Sequence, residues 1–212
     1  MKVEKYNYQQ TQLPTQGKHI IAQSDDKTIT VYQAYNNAIA NFAVANQKFG
    51  GSSYSFNRMT WVKPNFMWMM YRAGWATKEN QERILAIKIK HEGFNKILEE
   101  AVHSSFQGDV YTSHEEWKTR LANSKIRLQW DPDHNPRGDK MERKAIQLGI
   151  RGEVLHQLNQ EWITEISDLT DFVKEQHVFA NGDFAELKVP FERVQKYKNQ
   201  AIINNLGLTL EK

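Results

Sequence analysis

Apolar and polar side chains alternate along several short segments of the chain, the pattern of β-strands that place one face on a core. The alternation is clearest at residues 83–90 (RILAIKIK), 125–130 (KIRLQW) and 145–150 (AIQLGI). In 83–90 it puts leucine and isoleucine on one face and two lysines on the other, so we expect a half-exposed strand there. The β-branched segment 28–33 follows a turn-like Asp-Asp-Lys and predicts a hairpin over residues 19–33.

Capping residues and helix breakers mark the predicted helices. Asn36 is a suitable N-cap for a first helix, and Ser113 opens a capping box (Ser-x-x-Glu) for another. Pro64 and Gly74 bracket the segment NFMWMMYRA, which is apolar on all sides and therefore predicts a buried helix. Further elements are expected as helices at about 92–102, 153–158 and 169–180, a strand at 162–167, and a last helix beginning at Pro190.

Helices and strands are intermixed without a strict β-α-β rhythm and without a glycine-rich phosphate loop. This arrangement favours an α+β fold, in which helices pack on a mixed, mainly antiparallel sheet. The length of 212 residues and the lack of repeats and low-complexity linkers predict a single domain over 1–212. We expect residues 1–15 and the tail from about residue 200 to be loosely ordered.

The composition bounds the compartment and the chemistry. Cysteine is absent, which excludes disulfides and thiolate metal ligands and suits a reducing environment. The first residues contain no apolar run typical of a signal peptide, and the longest apolar stretch, 66–71, is too short to cross a bilayer. We therefore expect a cytoplasmic protein with no membrane partner. The sequence does not indicate an oligomeric state.

Positive charge is concentrated in one part of the chain. The net charge is only +3, yet residues 58–90 contain seven basic and two acidic residues, together with three of the six tryptophans. Basic and aromatic side chains in one stretch suit a ligand that carries phosphate, either a nucleotide or a nucleic acid. The alternative is a solvated strand and loop beside a tryptophan-rich core.

The loop at residues 131–142 carries oxygen-bearing side chains at the spacing of a calcium loop. These side chains are Asp131, Asp133, Asn135, Asp139 and Glu142. The sixth position, where the sharp turn requires glycine, is Pro136, and a strand rather than a helix precedes the loop. We therefore expect turn chemistry and no structural metal, with Asp133 and His134 left as alternative ligands for another divalent ion.

Polar residues share one face of the two predicted strands at 125–130 and 145–150. If these strands pair, Arg127 and Gln129 lie beside Gln147, and Arg143 and Arg151 flank them. Arginine and amide groups in this arrangement bind a phosphate or carboxylate and hydrogen-bond a planar ring. The alternative is an ordinary polar sheet face.

The tryptophans at 61, 68 and 75 are spaced seven residues apart, but Pro64 and Gly74 prevent one helix from aligning them. Trp68 is expected in the core. Trp61 and Trp75 flank the ends of the buried helix, where each either stacks on a ligand ring or joins the core.

Five segments of the chain resemble the family called domain of unknown function 4291. They are TITVYQAY (28–35), RMTWVKPNFMWMMYRAGWATK (58–78), QERILAIKI (81–89), RLQWDPDH (127–134) and KAIQLGIRG (144–152). The resemblance extends over nearly the whole chain, and the second segment is highly specific. It implies no activity, because none is attached to the family name.

The order of elements is also similar to that of small ADP-ribosyltransferase-like domains. This resemblance implies that residues 31–35 (VYQAY) form the first strand, with Tyr32 or Gln33 facing the nicotinamide end of NAD. Gln129-x-Asp131 corresponds to the late acidic motif. The chain departs from the family pattern in three ways: the first strand lacks arginine or histidine, no Ser-Thr-Ser motif follows, and aspartate replaces glutamate.

The leading hypothesis is an enzyme that acts on a nucleotide or nucleic acid, specifically by ADP-ribosyl transfer from NAD. Asp131 would stabilise an oxocarbenium ion, and Gln129 and Tyr32 are the other catalytic candidates. Cations would hold the diphosphate and a tryptophan would stack on a ring. The ligand-binding candidates are Gln33, Arg58, Trp61, Lys63, Arg72, Trp75, Arg127, Arg143, Gln147 and Arg151.

Two hypotheses from other classes stand beside it. A non-catalytic module that binds RNA or single-stranded nucleic acid would depend on exposed lysines and lose affinity with salt. A protein-interaction domain would present Trp61 or Trp75 in an exposed apolar patch.

Overall fold

The computed structural model describes residues 1–209, and this part of the chain contains eleven strands and eight α-helices. The strands are β1 (Val3–Lys5), β2 (Ile21–Ala22), β3 (Thr28–Tyr35), β4 (Thr60–Val62), β5 (Arg83–Lys90), β6 (Val102–His103), β7 (Ile126–His134), β8 (Lys140–Ile150), β9 (Ile163–Asp168), β10 (Lys188–Pro190) and β11 (Arg193–Val194). The helices are α1 (Tyr6–Thr11), α2 (Asn37–Asn46), α3 (Phe66–Ala73), α4 (His91–Glu100), α5 (His114–Asn123), α6 (Gly152–Gln157), α7 (Thr170–His177) and α8 (Gln200–Leu206), and a π-helical turn follows α6 at Leu158–Trp162.

Two main sheets organise the molecule. The first is antiparallel with strand order β3-β5-β9, and the second has the order β4-β8-β7-β6. In the second sheet only the β6–β7 pair is parallel among the described strands. The predicted α+β class with a mixed, mainly antiparallel sheet is therefore confirmed.

Strands β3 and β5 are buried on both faces, which corrects the prediction of a half-exposed β5. Leu85 and Ile87 belong to a large cluster with β7, β8 and α4, whereas Ile84 and Ala86 on the opposite face pack in a second cluster around α3. The predicted exposure holds only at the end of this second face, where the side chains of Lys88 and Lys90 are 40% and 46% exposed. A one-sided pattern in a single strand cannot reveal that helices cover its other face.

Helix α3 is the centre of the second cluster, as its apolar sequence predicted. Its N-cap is Asn65, whose Oδ1 accepts a hydrogen bond from the Trp68 amide at 2.7 Å, and it ends at Gly74 with φ 57°. Trp68 is buried, as expected, and its ring stacks 5.3 Å from that of His134. The left-handed conformation at Gly74 is one that glycine adopts without steric cost.

Two predicted elements differ in the structure. In the predicted hairpin over 19–33, β2 pairs with the distant β11, and only one isolated bridge, Ser24 to Ile29, joins its two arms. The predicted helix from Pro190 was wrong, because Pro190 is the last residue of β10. Proline lacks a backbone N–H donor but keeps its carbonyl acceptor, so it is tolerated at the end of a strand. The Pro190 carbonyl accepts a hydrogen bond from Gln9 Nε2 at 2.7 Å.

The chain ends also differ from the expectation of loose order. Strand β1 pairs with β10, and Tyr6 and Gln9 of the following helix are buried. Helix α8 buries Ile202 and Leu206 against the large cluster. These contacts join residues far apart in sequence, which a local pattern does not reveal. The last part of the predicted tail, residues 210–212, lies outside the described residues.

Gly93 of α4 packs against Trp162 of the π-helical turn. A Cβ built at Gly93 would lie 2.3 Å from Trp162 Cγ and Cδ2, inside the core. We expect Gly93→Ala to lower the free energy of unfolding by about 1–3 kcal/mol, because overpacking outweighs the better helix propensity of alanine. Urea unfolding measures this. Gly182→Ala is the control, since no atom lies within 4 Å of its added Cβ, and equal stabilities of the two variants would contradict the prediction.

None of the helices in the part of the chain that the structure describes is long and apolar enough to span a membrane.

Candidate functional site

One isolated bridge joins the two main sheets. The Tyr32 amide donates to the Lys63 carbonyl at 2.7 Å, and the Lys63 amide donates back to the Tyr32 carbonyl at 3.2 Å. Within residues 1–209 no other backbone hydrogen bond joins β3 to β4. The two strands therefore diverge towards the C-terminal end of β3.

Beyond this bridge, hydrogen bonds from side chains connect β3 to β4. Gln33 Nε2 donates to Thr60 Oγ1 at 2.6 Å and to the Trp61 carbonyl at 3.2 Å. The Tyr35 hydroxyl lies 2.9 Å from the same Thr60 Oγ1. Gln33 and Tyr35 point to the same side because successive residues of a strand alternate between its faces.

A cleft of about 690 Å³ lies where the two strands diverge. Its size is in the range of sites that hold a small-molecule ligand. Most of its lining is polar or aromatic, and includes Gln33, Tyr35, Tyr54, Arg58, Thr60, Trp61, Lys63, Arg72 and Gln147. Six of the ligand-binding residues predicted from sequence therefore lie around one cavity.

Asp131 and Gln129 do not line the cleft, but Asp131 is hydrogen-bonded to the lining residue Gln147 and is held by two amides. Gln129 Nε2 donates to its Oδ1 at 2.9 Å, and Gln147 Nε2 donates to its Oδ2 at 2.7 Å. This arrangement follows from the antiparallel pairing of β7 and β8, which places Gln129 opposite Gln147 and confirms the predicted strand pairing. Both carboxylate oxygens accept a hydrogen bond, so the group has a fixed orientation.

Three cations line the cleft, and they differ in burial. Arg58 and Arg72 are exposed, and neither forms an ion pair within the described residues. Lys63 is buried, with 5% of its surface exposed. Burial, and next the charge of Arg72, lower the pKa of Lys63 to about 8, and Asp131 acts in the opposite direction.

Trp61 forms an aromatic wall of the cleft. Its indole covers Gly149 of the neighbouring strand, where an added Cβ would lie 2.9 Å from the Trp61 ring. A side chain at 149 would therefore displace the ring. Trp61 is half-buried and is one of the residues that line the cleft.

Tyr32 and Trp75 lie away from the cleft. Tyr32 has no exposed surface and packs edge-on against Phe66 at 5.5 Å, because its neighbour Gln33 occupies the cleft face of the strand. Trp75 is buried, donates from Nε1 to the Pro136 carbonyl at 3.2 Å, and stacks on His177. Of the two alternatives for each tryptophan, Trp75 belongs to the core.

Three predicted arginines also lie elsewhere. Arg127 and Arg151 both donate to the Ser124 carbonyl, at 3.4 and 3.1 Å, near the start of β7. Arg143 is buried in an ion pair with Asp133, with 2.6 Å between Nε and Oδ2. Residues 127 to 151 span two long strands, so side chains on one sheet can be far apart along it.

The basic run at 58–90 does not act as one surface. Lys88 pairs with Glu165 at 2.6 Å, and Lys90 lies 3.9 Å from Glu92. Arg83 pairs with Asp168, and Lys78 donates to backbone carbonyls of α3. The remaining three basic residues of the run, Arg58, Lys63 and Arg72, line the cleft.

The loop with calcium-like spacing is the turn between β7 and β8. Asn135 Oδ1 accepts the amides of Arg137 and Asp139, both at 3.0 Å, and the carboxylates of Asp131 and Asp133 bind different partners. No group of three or more His, Asp or Glu side chains within residues 1–209 is arranged to hold a metal ion.

Sequence reasoning missed Tyr35, Tyr54 and Thr60. Tyr35 follows Gln33 by two positions on a strand, so the alternation that predicted one face contains the signal for both. Tyr54 lies in the loop after α2, where the pattern gives no direction to a side chain.

The fold and the cleft define an α+β protein with a polar, cationic cavity between two sheets. Residues 19–196 match the profile of the family described as Domain of unknown function (DUF4291), so the chain belongs to this family, as its segments indicated. All the cleft residues fall inside the matched range. No match to the chain was found among the curated proteins.

Proposed function

We propose that the protein is an enzyme that acts on a nucleotide, and that its reaction is ADP-ribosyl transfer from NAD. The observation that supports this is a cleft lined by two exposed arginines and a half-buried tryptophan, with the fixed carboxylate of Asp131 hydrogen-bonded to its lining residue Gln147. The arginines suit a diphosphate, the tryptophan suits a ring, and the carboxylate next to the lining suits a developing positive charge.

Each residue has a distinct role in this proposal. Arg58 and Arg72 donate to the diphosphate oxygens, and Trp61 stacks on a ring. As the bond between ribose and nicotinamide breaks, its electron pair leaves with nicotinamide, and Asp131 stabilises the positive charge on the ribose. The acceptor atom then bonds to the anomeric carbon and loses a proton. Gln129 and Gln147 hold the carboxylate in place.

Replacing Asp131 by asparagine tests the carboxylate. Asparagine has the same shape but no charge, so we expect the release of nicotinamide from NAD to fall by about 100-fold. Asp139→Asn, an exposed acid in the next turn, is the control and should keep the wild-type rate. Equal rates in all three proteins would contradict the role of Asp131.

Thermal stability with NAD, ATP, GTP and a short RNA, each at low and moderate salt, separates this proposal from RNA binding. A ligand at about 100 times its dissociation constant adds roughly 2.7 kcal/mol. Stabilisation by NAD at both salt concentrations supports the enzyme. Stabilisation by RNA alone, lost with salt, would favour a binding module instead.

A further inference from the structure

Lys63 differs from the other cations of the cleft in its surroundings. It is the only lysine among the buried residues of the described chain. Two backbone hydrogen bonds to Tyr32 fix its main chain, at 2.7 and 3.2 Å, and Pro64 follows it. Within residues 1–209 its Nζ has no hydrogen-bond or ion-pair partner, although the side chain lines the cleft.

This environment disfavours the charged ammonium. Burial removes most of the hydration of a cation, and no acceptor of the described residues replaces it at Lys63. Arg72 from α3 adds repulsion and Asp131 from β7 a weaker attraction, and the pKa of Lys63 is about 8. The strands β3 and β8 contribute no charged side chain to the cleft lining, only Gln33, Ala34, Tyr35 and Gln147. Roughly a tenth of Lys63 is then neutral at pH 7, against less than a thousandth for an ordinary lysine.

A neutral amine that faces a ligand cavity is a nucleophile. Lysines that are desolvated and lie beside another cation are the ones that react with carbonyl groups. We propose that Lys63 forms an imine with an aldehyde or ketone that carries an anionic group, held by Arg58 and Arg72. This inference goes beyond the transfer reaction proposed above and shares with it only the role of the two arginines.

The chemistry needs no oxidant or reductant. The Nζ lone pair attacks the carbonyl carbon, and the carbonyl oxygen takes up a proton. The resulting carbinolamine loses its hydroxyl as water while the nitrogen loses a proton, which leaves a carbon–nitrogen double bond. One water is released for each imine formed, and hydrolysis reverses the step.

Pyridoxal 5′-phosphate is a suitable probe because it combines an aldehyde with a phosphate. The protein is treated with it at pH 7 to 9, the imine is reduced with borohydride, and the labelled peptides are identified by mass spectrometry. We expect Lys63 to be labelled at least 10-fold faster than the exposed Lys118, with a half-maximal rate near pH 8. Labelling spread over exposed lysines with Lys63 unmodified would overturn the proposal.

Neighbouring substitutions give a test with opposite signs. Arg72→Gln removes a repulsion and should move the midpoint of labelling to higher pH, whereas Asp131→Asn removes an attraction and should move it to lower pH. A midpoint that neither substitution moves would contradict the environment assigned to Lys63. Pyridoxal without phosphate should label more slowly, and equal rates would contradict the role of the arginines.

Lys63→Met, of similar length and without charge, should abolish the imine absorbance while the melting temperature stays within a few degrees of the wild type. If it unfolds, the pH midpoints of the Arg72 and Asp131 variants still decide. Labelling of Lys63 without any turnover of NAD would refute only the transferase proposal. NAD turnover without labelling of Lys63 would refute only this one.

Discussion

Replacing Arg143 by methionine is expected to lower the free energy of unfolding by about 3–5 kcal/mol at pH 7. Arg143 and Asp133 form an ion pair of 2.6 Å whose side chains are 3% and 1% exposed. Without the arginine, Asp133 is a buried carboxylate with no counter-charge. The hydrogen bond of 2.8 Å from Arg143 Nη2 to Gln10 Oε1, near the start of the chain, is also lost. Urea unfolding followed by circular dichroism measures the loss.

The controls separate charge from packing. Arg137 lies in the turn between β7 and β8 and is exposed, so Arg137→Met should change stability by less than about 1 kcal/mol. Adding Asp133→Asn to Arg143→Met removes the uncompensated charge, and most of the lost stability should return. A double variant as unstable as Arg143→Met would show that the charge is not the cause.

Glu192→Gln is expected to stabilise the protein increasingly as the pH rises. Glu192 is fully buried, its Oε1 accepts the Phe66 amide at 2.8 Å, and burial raises its pKa well above the usual value. A carboxyl whose pKa is higher in the folded protein loses its contribution as the pH rises from the unfolded pKa towards the folded one. The wild type therefore loses up to about 1.4 kcal/mol per pH unit in this window, and the glutamine variant does not.

The measurement is the free energy of unfolding of both proteins at pH 5, 6 and 7. The difference in favour of Glu192→Gln should widen by up to about 2.7 kcal/mol between pH 5 and 7. Glu186→Gln, at an exposed surface pair, serves as the control and should show no such trend. A difference that stays constant over this range would mean that Glu192 is ionised in the folded protein.

Local periodicity was sufficient to predict the parts of the site that depend on a single pair of neighbouring strands. The alternation in 125–130 and 145–150 was sufficient to place Gln129 beside Gln147, and the acid two residues later then lies between them. Helix α3 was likewise predictable, because Asn65, Gly74 and the apolar run between them act locally.

The remaining features depend on contacts between distant residues. The bridge from Tyr32 to Lys63 determines where the sheets part, and no periodic pattern encodes it. The arginine at 143 is next to a polar face in the sequence, yet it turns inward because Asp133 lies in the core. In the basic run, Arg83 and Lys88 pair with Asp168 and Glu165, which lie 85 and 77 positions further along the chain.

The seam between β3 and β4 has a consequence for how such a protein changes over evolution. The width of the cavity at this seam depends on the sizes of Gln33, Tyr35 and Thr60, which touch across it. The ladders that maintain each sheet are separate from these contacts. Substitutions at three positions can therefore enlarge, narrow or repolarise the binding space while every strand pairing is kept, so ligand preference can diverge on the same scaffold.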